Sequence, residues 1–340
     1  MSETAQHIHD IQQQTNANDA GLDAARERRN VVLPAAATFG GISETFISGS
    51  LATGVVTGEV EDADGGVIAD RRCFPGLGPD GDGKSPVEVL ADMQAHIGPL
   101  AREEYPDAVV KTMKRGLRVF VNEPLADGQD PYVDVVFAMK RKDKPGLWIP
   151  NMDIPRWDAA HPQKHVELLN SGEQPQRTLR AQIIRLGKVW NKQWSEPALC
   201  SFNICSLGLE AITTVVPIEH ALFTFFDHAA TALAKRRTED PAGVSGPINF
   251  EKPKDVVLKR ARDARDAVAE ALEHDDDADA VQAAMHRVFF QYVDQAARIS
   301  SKDDLADRLR VSTPRLRPTT TGLVPVGTVN SKRSYGGHRG

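Results

Sequence analysis

An aspartate sits inside the apolar run Tyr132-Val133-Asp134-Val135-Val136-Phe137, and that placement limits what this chain can fold into. The run is strand-like, and a carboxylate in a strand at the edge of a core costs several kcal/mol unless a cation or a partner compensates it. Two further acids, Asp62 and Asp64, stand at i and i+2, so on a strand they point to one face. Upstream lies Ile47-Ser48-Gly49-Ser50, a small turn that lets backbone N–H groups and a hydroxyl approach a triphosphate. Together these residues read as a metal-dependent nucleotidyl-transfer site. Three acids converging on one point make sense around Mg²⁺, a hard ion that takes oxygen ligands. A two-metal clamp can activate a ribose hydroxyl and stabilise departing pyrophosphate.

At 340 residues the chain is long enough for about two domains or two closely packed lobes. A net charge of -6 argues against an extended nucleic-acid surface built on counterion release. Cys73, Cys200 and Cys205 form no Cys-x-x-Cys pair, and their odd number argues against a disulfide framework; they read as reduced core thiols. No apolar run approaches the roughly 18 residues that span a bilayer, which implies no membrane segment and a cytoplasmic location.

Residues 5 to 35 predict a helix leading to a turn at Pro34. From about 42 to 140, strand-like runs alternate with turns: Thr45-Phe46-Ile47, Gly66 to Ala69, Leu117 to Val121 and Tyr132 to Met139, with helical spacing from Pro86 to Leu100. A mixed sheet flanked by helices is the simplest assembly. Beyond about 160 the pattern is helical. Leu179, Ile183, Leu186 and Trp190 fall on one face of a helix over 176–194, and Arg177, Arg185, Lys188 and Lys192 on the other, where they can meet phosphate. Further helices are predicted at 203–216, 218–236, 255–273 and 278–299. After 312 the chain lacks the apolar content to pack, which predicts a mobile tail.

Gly78-Pro79-Asp80-Gly81-Asp82-Gly83-Lys84-Ser85 matches G-x-x-x-x-G-K-[ST] letter for letter. No buried strand precedes it, and its two aspartates would repel phosphate, so it reads instead as a flexible loop beside the active site. Lys188 alone reads as a solvated lysine, and its basic neighbours raise its standing as a phosphate ligand. Ser201-Phe202-Asn203 suits a helix cap near Asn203, a position that also binds phosphate. His161 and His165 lie at i and i+4 without a third ligand, which argues against zinc. Trp148, in the strand-like Gly146 to Asn151, reads as core.

Gly49-Ser50, Asp62-x-Asp64, Asp134, Gly146 to Asn151, Trp157, His161-Pro162, Arg185 to Asn191 and Ser201-Phe202 together resemble the bacterial CD-NTases, relatives of cyclic GMP-AMP synthase that start anti-phage CBASS signalling. The resemblance covers roughly 40 to 235. It implies an α+β chain: an N-terminal spine helix (1–40), a polymerase-beta-like nucleotidyltransferase lobe (41–160), a helical lobe (161–311) and a flexible tail (312–340), with one active-site cleft between the lobes. It further implies that Asp62 and Asp64 hold two Mg²⁺, for which Mn²⁺ can substitute, and that Asp134 binds the metal activating the attacking hydroxyl. Gly49 and Ser50 would grip the donor triphosphate, and Lys188 and Ser201 would brace its outer phosphates. The implied product is a cyclic di- or trinucleotide made from NTPs and read by a downstream effector. The alternatives are a transferase modifying a single acceptor, or a degenerate nucleotide-binding sensor. One departure is Gly65-Gly66, where the family more often has an acid and bulky residues; it predicts a strand that starts late or bends. The resemblance also gives the terminal Gly340 a reading, as a substrate for a ubiquitin-activating and ubiquitin-conjugating-like enzyme.

Overall fold

Two helices open the chain, α1 (Glu3–Thr15) and α2 (Asp19–Ala37), in a computed structural model that describes residues 1–142 and 144–294. The predicted tail and Gly340 lie outside these residues. Ser2 and Asn18 cap the two helices, each accepting from a backbone N–H in the first turn. The single helix ending at Pro34 is thus corrected twice. The chain breaks at Asn16–Asn18, and α2 runs through Pro34 to Ala37. A proline this close to the helix end removes one backbone bond with little helix left to disrupt.

The sheet region follows as β1 (Ile42–Ser48), α3 (Gly49–Ala52), β2 (Asp62–Ala69), α4 (Pro86–Glu104), β3 (Val109–Met113), β4 (Gly116–Phe120), β5 (Tyr132–Lys140), β6 (Leu147–Asn151) and β7 (Arg156–Ala160). Their order is β1-β2-β5-β4-β3, with β6 pairing to the far end of β5 and to β7. β2 and β5 run parallel, and the other pairs are antiparallel. The alternation of β5 sends Val133, Val135 and Phe137 into a core shared with Val67, Leu90, Met93, Ile97 and Val119, beneath α2 and α4. Each such buried side chain contributes roughly 1.5–3 kcal/mol. β3 and β7 were not anticipated, because their short, half-exposed runs carry too little apolar alternation.

The remaining helices are α5 (Pro162–Leu169), α6 (Gln174–Lys192), α7 (Ser201–Ala211), α8 (Ile218–Lys235), α9 (Lys254–Glu273) and α10 (Ala278–Val288). They surround a second core containing Ile183, Leu186, Trp190, Phe225, Phe226, Val268, Met285 and Phe289. Ile8 and Ile11 of α1 join this core, whereas Val32, Leu33 and Ala36 of α2 join the sheet core. Two predicted helices end early. α7 stops at Ala211, where the Ile212 carbonyl accepts from Gln176 and Arg180. α10 stops at Val288, after which the N–H groups of Tyr292 and Val293 turn back to the carbonyl of buried Phe289. No helix among the described residues is long and apolar enough to cross a membrane.

Candidate active site

Strand register assembles one row of side chains across the sheet. Ser48 of β1 stands beside Asp64 of β2, Asp64 beside Asp134 of β5, Asp134 beside Arg118 of β4, and Arg118 beside Lys111 of β3. Asp62 lies two residues back on β2 and therefore on the same face. The outcome is that one oxygen from each of Asp62, Asp64 and Asp134 lies within 4.8 Å of the others. All three residues are half-buried.

The turn between β1 and α3 is shaped by the same acids. Gly49 has φ of 75°, in the left-handed region, and a β-carbon there would meet Asp64 Oδ2 at 1.7 Å. Glycine is therefore required twice, by the backbone and by the carboxylate pressed against it. Ser50 follows at the start of α3, half-buried.

Charge is unbalanced at this point. Burial pushes the Asp64 carboxyl up to about 8, and the neighbouring Asp62 and Asp134 push the same way against the opposing pull of Lys188 and Arg118. The donor set fits a hard divalent cation: it contains only carboxylate oxygens, and the raised Asp64 marks negative charge that a cation would relieve.

Asp134 was expected to need a cation or a partner, and it has a protein partner. Arg118 Nε donates to its Oδ1 and Arg118 Nη2 to its Oδ2, both at 2.8 Å. The Arg118 guanidinium also lies 3.7 Å from the centre of the Tyr132 ring. Sequence reasoning missed Arg118. The signal was available, since a charged residue within Leu117-Arg118-Val119-Phe120 poses the same question as Asp134.

The proposed phosphate ligands are distributed less simply. The basic side of α6 is not a solvated face. Arg177 and Lys192 are exposed, but Lys188 is buried and its Nζ donates to the Val55 carbonyl at 2.9 Å, while Arg185 is half-buried. The reason is that the loop after α3 packs over this side of the helix, so that Val55 joins the α6 core. The charge of Lys188 still reaches Asp64. Ser201 is the first residue of α7 and exposed; the cap is Cys200, whose Sγ and N–H both bond to Asn203 Oδ1.

Four other readings are settled by position. β2 begins at Asp62 and keeps its register with β1 and β5 through Gly65 and Gly66, so it does not start late. A β-carbon at Gly65 would meet Leu33 Cδ1 at 2.6 Å, and one at Gly66 would meet Phe46 Cζ at 2.4 Å; the glycines make room for α2 and for the Phe46 ring. The Gly78–Ser85 loop lies not beside the acids but toward the other end of β2 and β5, where Gly78 faces Met139 and Leu77 joins the core. There Lys84 pairs with Asp92, and Ser85 forms a capping box with Glu88. His161 caps α5, and His165 Nε2 pairs with Asp240. Cys73 is exposed, not a core thiol, because it lies in the turn after β2.

No family model matches the chain, and no curated protein matches it. Solved structures do. CdnC of E. coli MS115-1, solved with ATP, superposes with a TM-score of 0.63 at 17% identity, covering 86% of this chain and 99% of that one. CdnG of Bradyrhizobium diazoefficiens, a CD-NTase in complex with GTP, gives 0.61 at 14% identity over 83% and 94%. The Vibrio cholerae cyclic AMP-GMP synthase DncV, in complex with the linear intermediate 5′ pppA(3′,5′)pG, gives 0.54 at 11% identity over 86% and 88%. The chain has the CD-NTase fold: a mixed sheet with flanking helices, followed by helices packed around a second core.

Proposed function

We propose that this protein is a nucleotidyltransferase that joins NTPs into a cyclic di- or trinucleotide. The observation that carries the reading is the meeting of Asp62, Asp64 and Asp134 within 4.8 Å beside the Gly49-Ser50 turn, in a fold otherwise seen in proteins solved with ATP, GTP and a linear dinucleotide. Asp62 and Asp64 would hold two divalent cations, Mg²⁺ or Mn²⁺, with Asp134 completing the set. When bound, these ions supply activation of the attacking ribose hydroxyl and neutralisation of charge on the leaving pyrophosphate.

The chain's own residues provide positioning. The N–H groups at the Gly49-Ser50 turn and the Ser50 hydroxyl would grip the donor triphosphate. Lys188 has three N–H donors and uses one on Val55, which leaves two for a phosphate. Ser201, exposed at the first turn of α7, would brace the outer phosphates there. Little covalent chemistry is asked of the protein beyond this alignment and charge compensation.

The cellular part of the proposal is a cytoplasmic role in CBASS anti-phage defence, in which an effector reads the cyclic product. Incubating the purified chain with all four NTPs, then identifying the product by mass spectrometry and linkage-specific nuclease digestion, tests the core reading. A product carrying a single nucleotide on an acceptor would point instead to acceptor modification.

A further inference from the structure

The row across the sheet does not end at the acids. Beyond Asp134 it continues with Arg118, and the contacts there form a chain of constraints. Tyr132 stands two residues before Asp134 on β5, on the same face; its ring carries the Arg118 guanidinium at 3.7 Å. Phe120, two residues after Arg118 on β4, lies against the Tyr132 ring at 5.7 Å between centroids. The guanidinium in turn grips both oxygens of Asp134 at 2.8 Å. Only 13% of the Arg118 side chain is exposed, and 24% of Asp134.

These contacts solve a physical problem. Asp62, Asp64 and Asp134 repel one another, and an aspartate on a strand is free to swing away about two side-chain torsions. A bidentate pair fixes the carboxylate plane, which a point charge does not. It also leaves coordination capacity, because a carboxylate offers about four lone-pair directions and the arginine fork occupies one on each oxygen. Stacking on Tyr132 keeps the fork itself from following the carboxylate outward.

We propose that Arg118, braced on Tyr132, is the positioning residue that holds Asp134 in the orientation in which it shares a divalent cation with Asp62 and Asp64. This rests on the nucleotidyl-transfer reading for its purpose, but its test does not. Mn²⁺ binding to the full-length protein, without nucleotide, is followed by the loss of the free-ion signal in electron paramagnetic resonance. The series compares wild type, Arg118→Gln, Arg118→Lys and Tyr132→Leu, with a thermal melt of each.

The expected result is at least tenfold weaker Mn²⁺ binding in Arg118→Gln. Arg118→Lys, which keeps the charge but loses the fork, should recover only part of this, and Tyr132→Leu should fall between Arg118→Lys and wild type. A purely structural role would lower the melting temperature and leave the folded fraction's Mn²⁺ affinity unchanged. Arg118→Lys and Tyr132→Leu keep a cation or its ion pair in place and serve if Arg118→Gln does not fold. Wild-type affinity in Arg118→Lys and Tyr132→Leu, or no Mn²⁺ binding by wild type, would overturn the proposal. If the Arg118 dependence appears and no NTP is turned over, positioning stands and the proposed function fails. Where turnover is seen, kcat should fall in these variants with little change in KM for NTP.

Discussion

The Asp64 carboxylate occupies the space that a β-carbon on Gly49 would fill, 1.7 Å from Oδ2. The proposed metal ligand and the proposed phosphate turn are thus fitted to each other, and neither can shift alone. Replacing Gly49 with alanine should cost about 1–2 kcal/mol from the left-handed backbone alone. Displacement of Asp64 should also lower kcat by roughly 100-fold, the scale of a misplacement of about 1 Å. Thermal melts and steady-state rates of Gly49→Ala check both.

The pH dependence has a definite sign. Asp64 titrates at about 8 in the folded chain against an ordinary 3.8, so it makes no contribution below 3.8, where both states are protonated. As pH rises from 3.8 to 8 the unfolded chain ionises first, and the metal-free protein should lose stability across that window. Divalent cations must displace this proton, so their apparent affinity should rise by up to about tenfold per pH unit and level off near 8. Melting temperature against pH, with and without MnCl₂, measures it. Asp64→Asn should flatten both trends.

Lys188 pulls Asp64 toward ionisation and satisfies the Val55 carbonyl. In Lys188→Met the metal-linked pH inflection should move above 8, and the orphaned carbonyl should cost about 1–3 kcal/mol of stability. KM for the donor NTP should also rise. An unchanged inflection would separate Lys188 from the acids.

Gly66 lies under the Phe46 ring and against the Val136 carbonyl, with a β-carbon meeting them at 2.4 and 2.5 Å. Gly66→Ala should destabilise the fold by about 1–3 kcal/mol through overpacking. Adding Phe46→Leu should recover the ring's share and leave that of the backbone carbonyl. Urea denaturation of the single and double variants measures this coupling.

Periodicity carried most of the fold. α6, α8 and α9 were readable from their apolar stripes, and β5 from the apolar run on both sides of Asp134, because those signals are local. The acids were readable too, since a carboxylate among valines demands an explanation. What failed was non-local. The pairing of Arg118 with Asp134 depends on β4 lying beside β5, an order that sequence spacing does not encode. Lys188 looked solvated because helical spacing shows one packed face and not the second that Val55 covers. Pro34 looked like a stop because its cost depends on how much helix follows it.

The most direct test follows transfer of an α-³²P label from each NTP, with Mg²⁺ or Mn²⁺, into material that alkaline phosphatase cannot release. Wild type should yield a phosphatase-resistant cyclic product, and Asp62→Ala combined with Asp64→Ala should abolish it while leaving a folded protein. Label recovered only in linear or protein-attached nucleotide, or equal product from the double variant, would contradict cyclic-nucleotide synthesis at this site.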